Sequence, residues 1–490
     1  MSFWRGNNTL KVSAALFAEN RRRLIEALKQ KNLPGGSVVL LQGGSEQTRY
    51  NTDAEELAFR QESYFFWTFG VHEPECFGLI DMDKEKSVLF PPKLHQDYAI
   101  WEGRIHPEKF FVDKYQVDEV HFNEGTVIKD YLKKSGAQKL YLLKAENTDS
   151  GKVLQPAEFE GKHEFSHDDQ LLYPTIAELR VFKTDAELEV LRYASKIASE
   201  AHKEVMRKIQ PTMYEYQMES LFRHISYYTG GCRHIAYTCI TASGPNGAAL
   251  HYGHAGSPND RQINNGDMCL FDSVRKPTTR FRWGPEYNCY ASDVTCSFPS
   301  NGKFTDKQKT IYNAVWAARN AVFEQAKPGV RWTDMHRLAE KTILTHLRDA
   351  QLVQGDVDEM LKKRIGAIFM PHGLGHFMGL DVHDCGGYLG DATPRSTEPG
   401  LKSLRTTRTL QERMVITIEP GCYFIDTLLD KALKCPEASK YLNESKINEY
   451  RNFGGVRIED DVIIWAKGNE CMNQVPRTIE EIESFMANRT

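Results

Sequence analysis

Five residues of this 490-residue sequence are of types that hold divalent metal ions, and they fall at the ends of, or inside, runs that read as β-strands: Asp272, Asp293, His376, Glu419 and Glu459. Four carboxylates and one imidazole make a hard-to-borderline donor set, better suited to Mn(II), Zn(II), Co(II) or Fe(II) than a thiolate site is. Two such ions about 3.5 to 4 Å apart repel each other; bridging carboxylates offset that repulsion, and a water shared between the ions is acidified into a nucleophile. A lone Asp at a strand end ordinarily caps a turn. A paired metal site is therefore indicated by the strings around the five residues and by the elements that carry them, not by any one residue alone.

Those elements change character near residue 180, which predicts one domain over residues 1–180 and a second over 181–490. In the first, residues 37–41 and 139–143 read as strands and residues 14–29 as a helix, the mixture of an α/β domain. The second opens with Thr184 and Glu187 at capping-box spacing, then Leu188, Leu191, Ala194, Ile197, Ala201 and Val205 at helical period. The helical pattern runs to about Tyr228, and strand-like runs follow at 237–240, 268–272 and 287–298. A second round begins with Thr305 and Gln308 at the same spacing. Ile311, Val315, Ala318 and Val322 continue it, and Lys327, Pro328 and Gly329 end it. Another helix over 333–347 precedes strand-like runs at 365–370, 414–419 and 455–464. Two α-then-β rounds predict one sheet-centred domain built twice, with its site between the halves.

Composition narrows the chemistry. Hydrophobic residues are 41% and charged residues 26%, the balance of a folded globular protein. With 62 Lys and Arg against 66 Asp and Glu there is no basic excess for a phosphate backbone or an acidic membrane, which argues against nucleic acid and membrane partners. No stretch of about 18 apolar residues occurs, and residues 1–23 lack the apolar core of a signal segment. Ten cysteines stand singly without a CxxC pair, as reduced thiols do. A soluble cytoplasmic protein is expected, in which the Asn-x-Ser/Thr triplets at Asn7, Asn443 and Asn488 carry no glycan.

The strings around the five residues are GDMCLFD (266–272), YASDVT (290–295), PHGLGHFMGLDVHD (371–384), TIEPGCY (417–423) and GVRIEDD (455–461). In this order they resemble the pita-bread metallopeptidases, across essentially the whole chain, and within them the branch that cleaves dipeptides ending in proline. The resemblance implies an α/β (α+β) chain, with a creatinase-type N-terminal domain followed by a pita-bread domain of two pseudo-symmetric ααββ halves. It also implies two divalent metal ions per subunit, Mn(II) foremost. Asp272 chelates one ion, Asp293 and Glu459 bridge both, and His376 with Glu419 completes the second. Glu419 is also the expected acceptor of the water proton, which it passes to the leaving proline nitrogen. His251, in LHYGH, and His383, in DVHD, match positions that contact substrate or stabilise the tetrahedral intermediate. His372 and Arg457 are expected to orient the site, Arg457 lying two residues before Glu459 on the same face of an extended strand. Arg405 is expected to bind the carboxylate of the terminal proline bidentately. Trp101, in AIWEGRIH, would lie over the active site of a partner subunit, since the family implies a homodimer.

The chain departs from the family pattern between Asp272 and Asp293, which are separated by about ten residues more than the usual short hairpin. Arg275, Lys276, Arg280 and Arg282, with Pro277 and Pro285, predict an exposed extension over 273–287 that leaves both aspartates in register. At Glu412 and Arg413 the family's Pro-Gly turn is replaced, a change confined to a loop. Two other readings compete: an aminopeptidase P, which takes longer peptides with the same fold and metals, and a non-catalytic binding protein. Arg405 and Trp101 speak against the first and the five intact ligands against the second. A Rossmann-type enzyme is disfavoured because no G-x-G-x-x-G spacing is present.

Overall fold

The computed structural model describes residues 2–54, 58–236, 239–272 and 285–488. The chain divides into two compact units: Met1–Arg180 with Thr184–Glu187, and Val181–Lys183 with Leu188–Thr490.

In the first unit, six strands form a mixed sheet in the order Ser166–Asp168, Lys139–Leu142, Ser37–Gln42, Phe77–Asp81, Lys86–Phe90, Glu119–Val120. The central strand Ser37–Gln42 carries the unbroken apolar run Val38–Leu41 because the sheet is covered on both faces; Val38 and Leu40 pack with Leu79, Val88, Leu140 and Leu142 on one of them. Helix Ala15–Lys29 lies where the helical period placed it. Trp101 ends the four-residue helix Tyr98–Trp101 and is 81% exposed.

The second unit is built from two rounds of helices followed by strands. Its first helix, Asp185–Lys208, begins in residues counted with the first unit, where Thr184 and Glu187 exchange hydrogen bonds of 2.8 and 3.2 Å, and Glu215–Gly230 follows. Strands Ile240–Ser243, Met268–Asp272 and Cys296–Pro299 then form an antiparallel sheet with Met268–Asp272 in the middle. The second round opens with the reciprocal cap of Thr305 and Gln308 on helix Asp306–Gln325 and continues with Trp332–Asp349. Its sheet joins Val415–Ile418, Asp460–Trp465 and Gly468–Cys471, and Gly421–Tyr423 pairs separately with Gly455–Arg457. One apolar core runs beneath both rounds, with Phe271 and Phe298 from the first packed in the same cluster as Ile416, Ile418 and Val462 from the second.

Two strand expectations fail. Residues 365–370 hold the short helix Gly366–Phe369, not a strand; a six-residue apolar run, in which Ile368 alone is partly exposed, is too short for its periodicity to separate the two. Of residues 287–298, only the end is ladder, in Cys296–Pro299, while 291–294 are irregular and bring Asp293 into the interior. Residues 273–284 of the 273–287 extension lie outside the described residues, as do 237 and 238 of the run at 237–240; the end of the extension, 285–287, is buried and not exposed as expected, because Pro285–Glu286 pairs with His234–Ile235.

Candidate metal centre

Strand pairing in the second unit carries the acidic residues to one place. Ile418 is registered against Asp460, so one further step sets Glu419 opposite Glu459. An isolated bridge joins Thr295 to Glu459, which ties the segment bearing Asp293 to the other half. The loop 371–377 reaches the same place because Gly375 has no side chain: a Cβ there would collide with the Thr417 carbonyl. His376 is then fixed to the strand, its N–H donating to the Thr417 hydroxyl at 3.1 Å and its carbonyl accepting from the Thr417 N–H at 2.9 Å.

The result is a buried cluster. Asp293, His376 and Glu459 each present a ligand atom within 4.8 Å of the other two. His376 Nε2 stands 3.3 Å from Asp293 Oδ2 and 3.4 Å from Glu419 Oε1. Its Nδ1 lies 3.0 Å from the Phe377 carbonyl, so the ring proton belongs on Nδ1 and the Nε2 lone pair faces the carboxylates, the tautomer a metal ligand requires. Asp272 is also buried but lies against the Arg457 guanidinium instead of in the three-residue cluster. Arg457 Nε donates to the Thr295 hydroxyl at 3.4 Å, and that hydroxyl donates to Glu459 Oε2 at 2.6 Å, so Asp272 is coupled to the cluster through two intermediaries.

Four buried carboxylates beside one imidazole and one contacting guanidinium carry an excess of negative charge. Buried charge of one sign is sustained only by a counter-charge. Burial and the charge of Glu459 push the Glu419 carboxyl well above the usual range, with Arg405 opposing them. Burial likewise raises Glu459, with Arg457 opposing. The donor set fits divalent cations, which supply the missing charge and suit oxygen and imidazole donors.

The other expected residues are placed unevenly. The His383 ring stands edge-on to His376, centroids 4.4 Å apart at 81°. His372 Nδ1 is 2.8 Å from the Gly373 carbonyl and Nε2 is 3.0 Å from the Tyr423 hydroxyl, which in turn accepts from Arg457 at 2.6 Å. Burial lowers His372 to about 4, reinforced by the charges of His336 and Arg405, so the ring accepts from Tyr423 as a neutral group. Arg405 is half-buried, and its field reaches both Glu419 and His372. His251 is half-buried in the turn after Gly244–Ala248, and its neighbours Leu250 and Tyr252 pack in the apolar cluster that contains Tyr423. Trp101 belongs to the first unit.

Sequence reasoning missed Thr295, Thr417, Tyr423 and Asp461. Asp461 accepts the Asp293 N–H at 3.1 Å and the Ser195 hydroxyl, which holds the irregular segment in place. All four lie inside the quoted strings; a hydroxyl or acidic residue two positions from a candidate ligand was the available signal for Thr295, Thr417 and Asp461, whereas Tyr423 stands four positions from Glu419.

The family model described as Metallopeptidase family M24 matches residues 189–466, and that of the Aminopeptidase P, N-terminal domain matches 17–141. Among curated relatives, the Xaa-Pro dipeptidase of Homo sapiens is 53% identical over 99% of this chain and 96% of its own length. The probable Xaa-Pro aminopeptidase of Verticillium alfalfae is 32% identical over 96% of each. Among solved structures, zinc-substituted Escherichia coli aminopeptidase P in complex with product superimposes with a TM-score of 0.76, at 29% identity over 98% of this chain and 99% of that one.

Proposed function

Because the chain belongs to metallopeptidase family M24, we propose that it hydrolyses Xaa-Pro dipeptides with two divalent ions, Mn(II) foremost, held by Asp272, Asp293, His376, Glu419 and Glu459. The reading rests on the buried cluster of Asp293, His376 and Glu459, which Glu419 adjoins. Divalent ions in such a cradle acidify the attacking water and polarise the scissile carbonyl.

The chain's own groups do the rest. Glu419 takes the proton of the attacking water and hands it to the proline nitrogen as the amide bond breaks, one carboxyl serving as base and then acid. His383 and His251 contact the substrate and stabilise charge developing on the carbonyl oxygen. Arg457 and His372 meet at the Tyr423 hydroxyl and orient the carboxylates. Arg405 grips the free carboxylate of the proline, which sets the substrate at two residues.

Dipeptide preference is supported by closer identity to the dipeptidase than to the aminopeptidase. The aminopeptidase P reading draws on the solved structure and differs in leaving the carboxyl side of the substrate open. A homodimer, in which the partner subunit's Trp101 walls the end of the substrate cleft, and a cytoplasmic location complete the proposal. No helix among the described residues is long and apolar enough to cross a membrane. Chelation followed by Mn(II) add-back tests the reading: Gly-Pro hydrolysis should vanish and return, and full activity in exhaustively metal-free protein contradicts it.

A further inference from the structure

A second buried charge pair closes the loop that follows His376. Lys183 Nζ stands 3.2 Å from Asp384 Oδ2, and the side chains are 2% and 1% exposed. Lys183 is held from its own backbone, its N–H donating to the Arg413 carbonyl at 3.0 Å and its carbonyl accepting from Arg413 Nη1 at 3.2 Å.

Asp384 follows His383 directly and closes the loop 377–384 on its own start. Its N–H donates to the Phe377 carbonyl at 2.9 Å, the same oxygen that accepts His376 Nδ1–H at 3.0 Å. One carbonyl thus fixes both the orientation of the imidazole and the return of the loop. Along the way, Met378 N–H donates to the Val415 carbonyl at 3.1 Å and the Gly379 carbonyl accepts from Ala291 N–H at 2.9 Å. The loop therefore spans from the strand leading to Glu419 to the segment leading to Asp293. A side chain at Gly379 would strike the Asp384 carboxylate and come within 3.2 Å of Lys183 Cε, so the space around the pair is filled.

We infer that the buried Lys183–Asp384 pair is a positioning clip: it locks the loop 377–384 so that His383 stays edge-on to His376 and His376 keeps its Nε2 toward Asp293 and Glu419. Among the described residues the Lys183 ammonium meets only the Asp384 carboxylate and the Val181 carbonyl, so it acts on the candidate ligands through Asp384. A buried ion pair is poor value as stabilisation, since an apolar pair of similar volume commonly does as well. Its effect here is on geometry, and outer groups of this kind typically change metal affinity or turnover by about 10- to 100-fold.

The inference rests on the dipeptidase reading, and the test separates the two. Lys183→Met leaves a lone buried carboxylate, so Lys183→Met/Asp384→Asn, which buries no net charge, is made beside it. Both are checked for fold by circular dichroism, for Mn(II) affinity by the free-ion electron paramagnetic resonance signal, and for kcat and KM on Gly-Pro at saturating Mn(II). The clip predicts a folded double variant with kcat down about tenfold or more and weakened Mn(II) binding. KM should stay within about threefold, because Arg405 is untouched. A folded double variant with wild-type kcat and Mn(II) affinity overturns the inference, even if Lys183→Met alone fails to fold. Wild-type protein inactive on Gly-Pro would instead overturn the dipeptidase reading.

Discussion

Thr295 and Glu459 are joined twice across the two halves of the second unit: the Glu459 N–H donates to the Thr295 carbonyl at 3.3 Å, and the Thr295 hydroxyl donates to Glu459 Oε2 at 2.6 Å. The hydroxyl also receives Arg457 Nε at 3.4 Å, so one small side chain sets the direction of the Glu459 carboxylate, proposed to bridge the ions, and links it to the group that holds Asp272. Thr295→Val keeps the shape and the backbone bridge but removes the hydroxyl. Turnover should fall about 10- to 100-fold with little change in KM, the usual scale for a group behind a metal ligand. Wild-type turnover in the folded variant contradicts the role.

Asp293 and Glu459 are expected to serve both ions, whereas His372 meets the site through the Tyr423 hydroxyl. Asp293→Asn and Glu459→Gln should therefore lose more activity than His372→Ala, and each should lower the Mn(II) content measured by atomic emission. Retention of two ions and near wild-type turnover in either variant shows that the bridging assignment is wrong.

Arg405 should set substrate length. Removing a bidentate partner of a desolvated carboxylate costs on the order of 2 to 5 kcal/mol of binding, so Arg405→Ala should raise KM for Gly-Pro steeply and disturb kcat less. A dipeptide blocked as its carboxamide should be insensitive to the substitution. Equal losses on blocked and free substrate count against the pairing.

Much of this was open to reading along the chain, and the limit is physical. The capping pairs Thr184–Glu187 and Thr305–Gln308 were legible because a spacing of three residues is enough to force reciprocal hydrogen bonds. The strand Met268–Asp272 was legible as an apolar run ending in an acid, and the quoted strings pointed to the five candidate ligands. The partnership of Thr295 with Glu459, 164 residues away, was not, because it depends on the register between the two halves. Nor was the contact of Asp272 with Arg457, or the Tyr423 hydroxyl shared by Arg457 and His372. The helix Gly366–Phe369 was misread because a short run that is apolar throughout carries no period to distinguish helix from strand.

A pH prediction follows from His202. Its Nε2–H donates to the Val294 carbonyl at 2.7 Å, while Nδ1 has no hydrogen-bond partner among the described residues. Burial, with the charge of Arg477 adding to it, lowers its pKa from 6.5 to about 3. Between those values the unfolded chain binds a proton that the folded one refuses. Its penalty is absent above pH 6.5 and grows as pH falls toward 3. His202→Gln retains a donor for Val294 and removes the titration, so its urea-unfolding stability should decline less than wild type between about pH 6.5 and 5. Parallel declines would show that His202 does not contribute.

The central claim is that this centre cleaves dipeptides ending in proline. It is tested most directly by initial rates of purified, Mn(II)-loaded protein on Gly-Pro and on Gly-Pro-Ala at equal concentration, with released glycine quantified. The account predicts rapid release from Gly-Pro and little from Gly-Pro-Ala, because Arg405 requires the carboxylate on the proline itself. Faster release from the tripeptide, or none from either, would contradict it.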